Sequence, residues 1–195
     1  MAAAKRVGVL ALQGDFEAHR RALVRAGAEP VEVRTAAQLD SVDGLILPGG
    51  ESTTMLKLLE EEWLFEPLRR FGRQRPIFGT CAGAILLAAE VLNPVQKSLG
   101  LVDITVERNA YGRQLDSRIV RLTLDTLRNG PNCDSEFEAV FIRAPIIRKI
   151  GPNVSGITFY RDTPVLVAEG RHLVATFHPE LTQDTRIHRL FLQRI

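Results

Sequence analysis

The stretch Phe78-Gly79-Thr80-Cys81-Ala82-Gly83 constrains this chain more than any other. Arg75-Pro76-Ile77-Phe78 before it is short and apolar and reads as a buried strand. Ala84 to Glu90 after it is rich in strong helix formers. A cysteine between two glycines therefore sits on a strand-to-helix turn. Gly79-x-Cys81-x-Gly83 has the spacing of a nucleophile elbow, with sulfur in place of oxygen. Glycines suit it because side chains would clash in so tight a turn. The helix N-terminus faces Cys81 and favours the thiolate, the nucleophilic form. The alternative is a buried structural cysteine, the usual fate of a lone thiol.

Bulk properties narrow the setting. The 195 residues suit one domain, 1–195, with a sizeable core. Apolar residues make up 45%, so a folded globular chain is expected. A net charge of +2 gives no reason to expect nucleic acid or an anionic membrane as partner. No apolar run approaches the ~20 residues that span a bilayer. Met1-Ala2-Ala3-Ala4-Lys5-Arg6 lacks a signal-peptide layout, and two cysteines make no disulfide framework. These features point to the cytoplasm. No Cys/His cluster has zinc spacing, so no metal is expected.

Val7 to Leu12 is a near-continuous apolar run, the mark of a strand covered on both faces. Gln13-Gly14-Asp15 follows, with Asp15 as a plausible helix cap, and the helix stops at Gly27. Val31-Glu32-Val33 and Leu45-Ile46-Leu47 are further strands. The alternation predicts a mostly parallel central sheet flanked by helices, an α/β fold. Pro48-Gly49-Gly50-Glu51-Ser52-Thr53-Thr54 follows the third strand, and Ser52 or Thr53 can cap the helix running through Leu59. A further helix is expected around Trp63 to Phe71. Ligands gather at the carboxyl ends of parallel strands, so Gly50 and Cys81 can line one crevice.

Beyond Glu90 the pattern changes. Val102–Val106 and Ile119–Leu124 alternate and predict half-exposed, antiparallel strands. Glu107 to Gln114 is a polar turn, and Arg128 to Asp134 is a loop by composition, with Cys133 incidental. Ala139 to Pro145 is a strand carrying Arg143 near its end. Val165–Ala168 and Leu173–Phe177 predict a hairpin across Glu169-Gly170-Arg171. The second arm runs into His178-Pro179-Glu180. In an extended chain residues two apart point the same way, so Glu180 can fix the tautomer of His178. His19, His172 and His188 are competing bases without such a carboxylate in sequence. A last helix, Asp184 to Gln193, turns Ile187, Leu190 and Phe191 to one face.

A thiol on an elbow and a histidine with its own carboxylate together suit acyl transfer through a thioester. At this point the chain resembles the class I (triad-type) glutamine amidotransferases, which carry Gly-x-Cys-x-Gly and a later His-Pro-Glu. Within them it is similar to the glutaminase subunits of pyridoxal 5′-phosphate synthase. The resemblance rests on Leu12-Gln13-Gly14, Pro48 to Thr54, Gly79 to Gly83, Glu107-Arg108-Asn109, Phe141-Ile142-Arg143-Ala144-Pro145 and Phe177 to Thr182. It implies the class I glutaminase fold, with Cys81 as nucleophile, His178 as base and acid, and Glu180 as orienting carboxylate. It implies that Gly50, Glu51, Ser52, Arg108, Ile142 and Arg143 bind L-glutamine, and that Gly50 and Ala82 N–H groups form the oxyanion hole. It implies no cofactor on this chain, and ammonia passed to a separate synthase subunit in a hetero-oligomer. Two departures touch no motif: a longer loop from Arg128 to Glu136, and an end at Ile195 soon after the last helix. Other readings stay open: a glutaminase of another pathway, a thiol hydrolase of peptides, and a non-enzymatic cysteine sensor or chaperone.

Overall fold

The computed structural model describes residues 4–108, 117–124 and 136–195. Its first half alternates strands and helices. The strands are β1 (Arg6–Leu10), β2 (Glu29–Val33), β3 (Gly44–Leu47) and β4 (Ile77–Thr80). Between them lie α1 (Phe16–Ala26), α2 (Ala36–Leu39), α3 (Ser52–Glu61) and α4 (Phe65–Gln74). Then come α5 (Ala82–Leu87), β5 (Ala88–Leu92), β6 (Val102–Glu107), β7 (Ser117–Thr123) and β8 (Glu136–Ile142). The chain closes with β9 (Ile146–Ile150), β10 (Val154–Tyr160), β11 (Thr163–Glu169), β12 (His172–Ala175) and α6 (Arg186–Leu192).

The main sheet has the order β10-β11-β12-β4-β3-β1-β2. Pairing from β12 through to β2 is parallel, and β10-β11-β12 is antiparallel. Alternate side chains on each strand serve opposite faces. Leu45 and Leu47 therefore join one apolar cluster with Met55, Leu68 and Leu87, from α3, α4 and α5. Ile46 and Phe78 join the other with Leu23 of α1 and Phe191 of α6. This is the expected mostly parallel α/β sheet, covered on both sides.

Several local expectations need correction. The helix after Cys81 ends at Leu87 rather than Glu90. Leu99 and Leu101 donate their N–H groups to the Leu86 and Leu87 carbonyls, and Ser98 Oγ donates to Ala88. Those contacts take up the carbonyls of the last turn and let residues 88–92 extend as β5. β6 is antiparallel to β9, as expected, but parallel to β5. β7 pairs antiparallel with β8. Trp63 is an exposed turn residue at φ 55°, and the helix assigned to it begins at Phe65. The last helix begins at Arg186, because Asp184 Oδ1 accepts the Arg186 N–H just ahead of it. The loop over 128–135, Cys133 included, and most of the polar turn after Arg108 lie outside the described residues.

Candidate active site

The candidate residues gather beyond the carboxyl ends of β1, β3, β4 and β12, joined by Arg108 after β6 and Arg143 after β8. Cys81 directly follows β4 at φ 48°, ψ −100°, a conformation that side chains avoid. Its N–H donates to the Ala175 carbonyl at the end of β12, pinning the elbow between two strands. The glycine spacing has a direct cause. A Cβ on Gly79 would sit 2.6 Å from the Gly83 carbonyl group, and one on Gly83 would sit 2.1 Å from the Leu47 oxygen. With those glycines, the first turn of α5 can settle onto the ends of β3 and β4.

The loop after β3 closes the same crevice from the other side. A Cβ on Gly49 would lie 2.3 Å from His178 Cε1, so the imidazole rests on bare backbone. The Gly49 carbonyl accepts from Asp15 N–H at 3.1 Å. Glu51, not Ser52 or Thr53, caps α3, its carboxylate accepting from Thr54 N–H at 2.9 Å. A three-atom reach lets this glutamate fold back on the first turn. Ser52 is buried, with its hydroxyl turned to Gln96 at 3.2 Å. Gln13 Oε1 receives the Glu51 N–H at 3.0 Å. Asp15 precedes α1, but its side chain makes no cap bond.

A cavity of about 300 Å³ opens between these elements. Its walls include Gly50, Glu51, Ser52, Cys81, Arg108, Ile142, Arg143 and His178. All of the binding residues implied by the resemblance thus lie at one cavity, together with Gln13, Asp15, Ile85 and Pro145. Sequence reasoning gives those last four no place at the site. Gln13 and Pro145 carry a signal, as the centre of Leu12-Gln13-Gly14 and the end of Phe141-Ile142-Arg143-Ala144-Pro145. Arg108 donates to Thr53 Oγ1 at 2.9 Å and lies 3.6 Å from Glu51. Arg143 lies just past β8 at φ 42°, beside Ile142, whose carbonyl accepts from Cys81 Sγ at 3.9 Å. Of the oxyanion pair, Gly50 lines the cavity and Ala82 is the first residue of α5.

His178 and Glu180 meet, though not by the expected geometry. Pro179–Leu181 is a 3₁₀ turn rather than extended chain. The turn folds Glu180 back so that its Oε1 accepts from His178 Nδ1 at 2.7 Å, with both side chains buried. That leaves Nε2 for proton transfer on the cavity side. Burial alone would lower the His178 pKa, but hydrogen bonds to Cys81 and Glu180 and their charges raise it to about 10. Burial would raise the Glu180 carboxyl, yet His19 and His178 outweigh it and hold it below the usual carboxylate range. Asp15, His178 and Glu180 bring three ligand-type atoms within 4.8 Å of one another. Two of those residues are already bound to each other, which suits acid–base work better than metal binding.

The other three histidines are buried as well. His172 is pushed down to about 4 by burial and by Arg171, and His188 to about 3 by burial and His19. His19 is lowered chiefly by burial. Each stays neutral in the fold but gains a proton near pH ~6.5 once unfolded. Stability must therefore fall as pH drops below about 6.5, by up to about 1.4 kcal/mol per pH unit for each histidine. The raised His178 does not offset this. Its contribution is full below its unfolded pKa and is lost only as pH rises toward about 10. The urea midpoint should drop between about pH 7 and pH 5, and His172→Gln should flatten the slope. A midpoint that does not move, or a slope unchanged in the variant, would contradict this.

Comparison with known proteins agrees with the geometry. The model of the SNO glutamine amidotransferase family matches residues 9–195. A pyridoxal 5′-phosphate synthase subunit PdxT from Solibacter usitatus is 60% identical over 98% of this chain and 100% of its own. The protein of that description from Deinococcus radiodurans is 52% identical over 95% of both chains. A solved glutamine amidotransferase superposes with a TM-score of 0.88 at 46% identity, covering 96% of this chain and 97% of that one. PurLQS from Thermotoga maritima, at 19% identity and a TM-score of 0.71 over 98% and 99%, shares the fold.

Proposed function

The chain belongs to the SNO glutamine amidotransferase family, and from that premise we propose that residues 1–195 act as one glutaminase domain whose nucleophile is Cys81. The chain is a glutaminase subunit of pyridoxal 5′-phosphate synthase, supplying ammonia for that synthesis. The observation that carries the residue assignment is the meeting of Cys81 and His178 at one cavity, with Glu180 2.7 Å behind the ring.

The Cys81 thiolate attacks the side-chain carbonyl carbon of L-glutamine. The N–H groups of Gly50 and Ala82 receive the developing oxyanion, usually the largest single contribution in such reactions. His178 gives its proton to the departing nitrogen, so ammonia leaves and a glutamyl thioester remains. Water then loses a proton to His178 and attacks the thioester, releasing glutamate and restoring Cys81. Arg143 makes no ion pair to a described residue and stands ready for the α-carboxylate of glutamine, with Arg108 beside it. Glu51 braces the loop that carries Gly50. This chemistry asks for no cofactor or metal. It does ask for a free thiol at Cys81, and the reducing cytoplasm is the setting that keeps one. No helix among the described residues is long and apolar enough to cross a membrane.

The synthase subunit would both receive the ammonia and switch the glutaminase on, within a hetero-oligomer. Ammonia made without an acceptor is wasted. The Gly49-Gly50 peptide can turn at little steric cost, and the bond from Asp15 that holds its carbonyl contributes only about 1 kcal/mol. A partner that favours Gly50 N–H facing the cavity would shift the population toward the active form. Ammonia release should rise at least about tenfold on adding the synthase subunit, equivalent to about 1.4 kcal/mol of differential binding. Full activity of the isolated chain, unchanged by the partner, would sink the switching idea. No ammonia with the partner present would sink the glutaminase reading.

A further inference from the structure

The second oxygen of Glu180 faces away from His178, into a buried polar cluster that the reaction described above does not use. Among the described residues Oε2 has no hydrogen bond of good geometry, and His19 Nε2 lies 3.3 Å from it. His19 comes from α1 and is fully buried. Its Nε2 also lies 3.0 Å from Thr80 Oγ1, next to the nucleophile in sequence. Its Nδ1 lies 3.1 Å from Nε2 of His188, another fully buried ring, from α6. His188 Nδ1 has no partner among the described residues.

Only one placement of protons suits these contacts. If His188 Nε2–H donates to His19 Nδ1, then His19 carries its own proton on Nε2. That N–H is shared between Thr80 and the Glu180 carboxylate, and the one orphan is an acceptor, His188 Nδ1. In the reverse arrangement His19 Nδ1–H donates to His188, whose proton moves to Nδ1. A buried donor is then orphaned, the rarer and costlier defect. A bare Nε2 lone pair would also face a carboxylate oxygen. Burial keeps both rings neutral. His19 therefore offers Glu180 a directed N–H.

We propose that His19 is a positioning residue for the glutaminase reaction: its Nε2–H, oriented by His188, holds Oε2 of Glu180 so that Oε1 stays aimed at His178 Nδ1. This role rests on the glutaminase reading. His19 does not line the cavity and acts on substrate only through Glu180 and His178.

Three variants in complex with the synthase subunit test it. A Gln side chain places an amide N–H where His19 Nε2–H stands, an Asn places one where Nδ1 stands, and a Leu supplies none. His19→Leu and His19→Asn should lose at least about tenfold in kcat, with KM for glutamine unchanged and the acid limb of the pH–rate profile displaced. His19→Gln should recover most of the rate. Wild-type kcat in the Leu or Asn variant, or a Gln variant no better than Asn, would overturn the role. Where a variant fails to fold, the tautomer is read in the native chain by two-bond ¹⁵N–¹H correlation. A proton on His19 Nε2 supports the proposal and one on Nδ1 refutes it. If the native complex releases no ammonia, the glutaminase reading fails by itself. The tautomer measurement then still decides whether His19 holds Glu180.

Discussion

Cys81→Ser should abolish ammonia release from glutamine while leaving thermal unfolding nearly unchanged. The two side chains differ little in size, and the elbow is held by backbone contacts that serine keeps. Those are the N–H bond to Ala175 and the seating of Gly83 on Leu47. Chemistry is what changes. A hydroxyl does not ionise near neutral pH, and a neighbouring imidazole held as its cation by Glu180 is suited to pairing with a thiolate rather than to deprotonating an alcohol. The rate should fall by at least about a thousandfold, as when a nucleophile is removed from a triad. The assay needs the synthase subunit present, so that a silent result reflects the nucleophile and not an unswitched loop. Intact-mass detection of a glutamine-analogue adduct should locate the label on Cys81, and Cys133→Ser should behave as wild type. Wild-type turnover by Cys81→Ser, or the loss appearing in Cys133→Ser instead, would move the nucleophile.

The elbow is legible in the sequence because its constraints are local. A strand, two close approaches and a helix start fall within a few residues, and each leaves a residue-type signature. The parallel sheet is legible for a similar reason, since β1 and β3 are apolar on both faces. Where the sequence misleads, a distant segment decides. The end of α5 is set by Leu99 to Leu101, and nothing in Ala84 to Glu90 announces it. The pairing of His178 with Glu180 follows from the sequence, but through an extended geometry that the Pro179–Leu181 turn replaces. His19 has no carboxylate following it in sequence, and spacing alone gives it no partner. Its carboxylate is Glu180, brought against it when α1 packs on one face of the sheet. Spacing rules work along one chain segment, and this contact joins two far apart.

Glu180→Gln tests the far end of the same chain of contacts, and it should cost kcat heavily with little change in KM. The carboxylate presents two acceptor oxygens to two rings, at 2.7 Å from His178 Nδ1 and 3.3 Å from His19 Nε2. A glutamine offers one oxygen and one NH₂. If its oxygen faces His178, the tautomer is kept but the negative charge that stabilises the imidazolium is gone, and the amide N–H group meets His19. If its nitrogen faces His178, the ring must accept at Nδ1. The proton then moves to Nε2, where it can no longer be taken from water in the second half-reaction. Either way His178 loses the charge of one of the two groups, Cys81 and Glu180, that together raise its pKa to about 10. In a serine-protease triad, replacing the orienting carboxylate by its amide lowers kcat by about 10⁴. Here the thiolate needs less help than an alcohol, so a fall of about 10² to 10³ is expected, read as ammonia release at saturating glutamine with the synthase subunit present. Alkylation of Cys81 should slow less than turnover, because in the proposed mechanism thioester hydrolysis needs His178 as a base and alkylation does not pass through that step. A variant with wild-type kcat would mean that Glu180 only shapes the turn. One that alkylates and turns over with equal losses would place its effect on forming the thiolate instead.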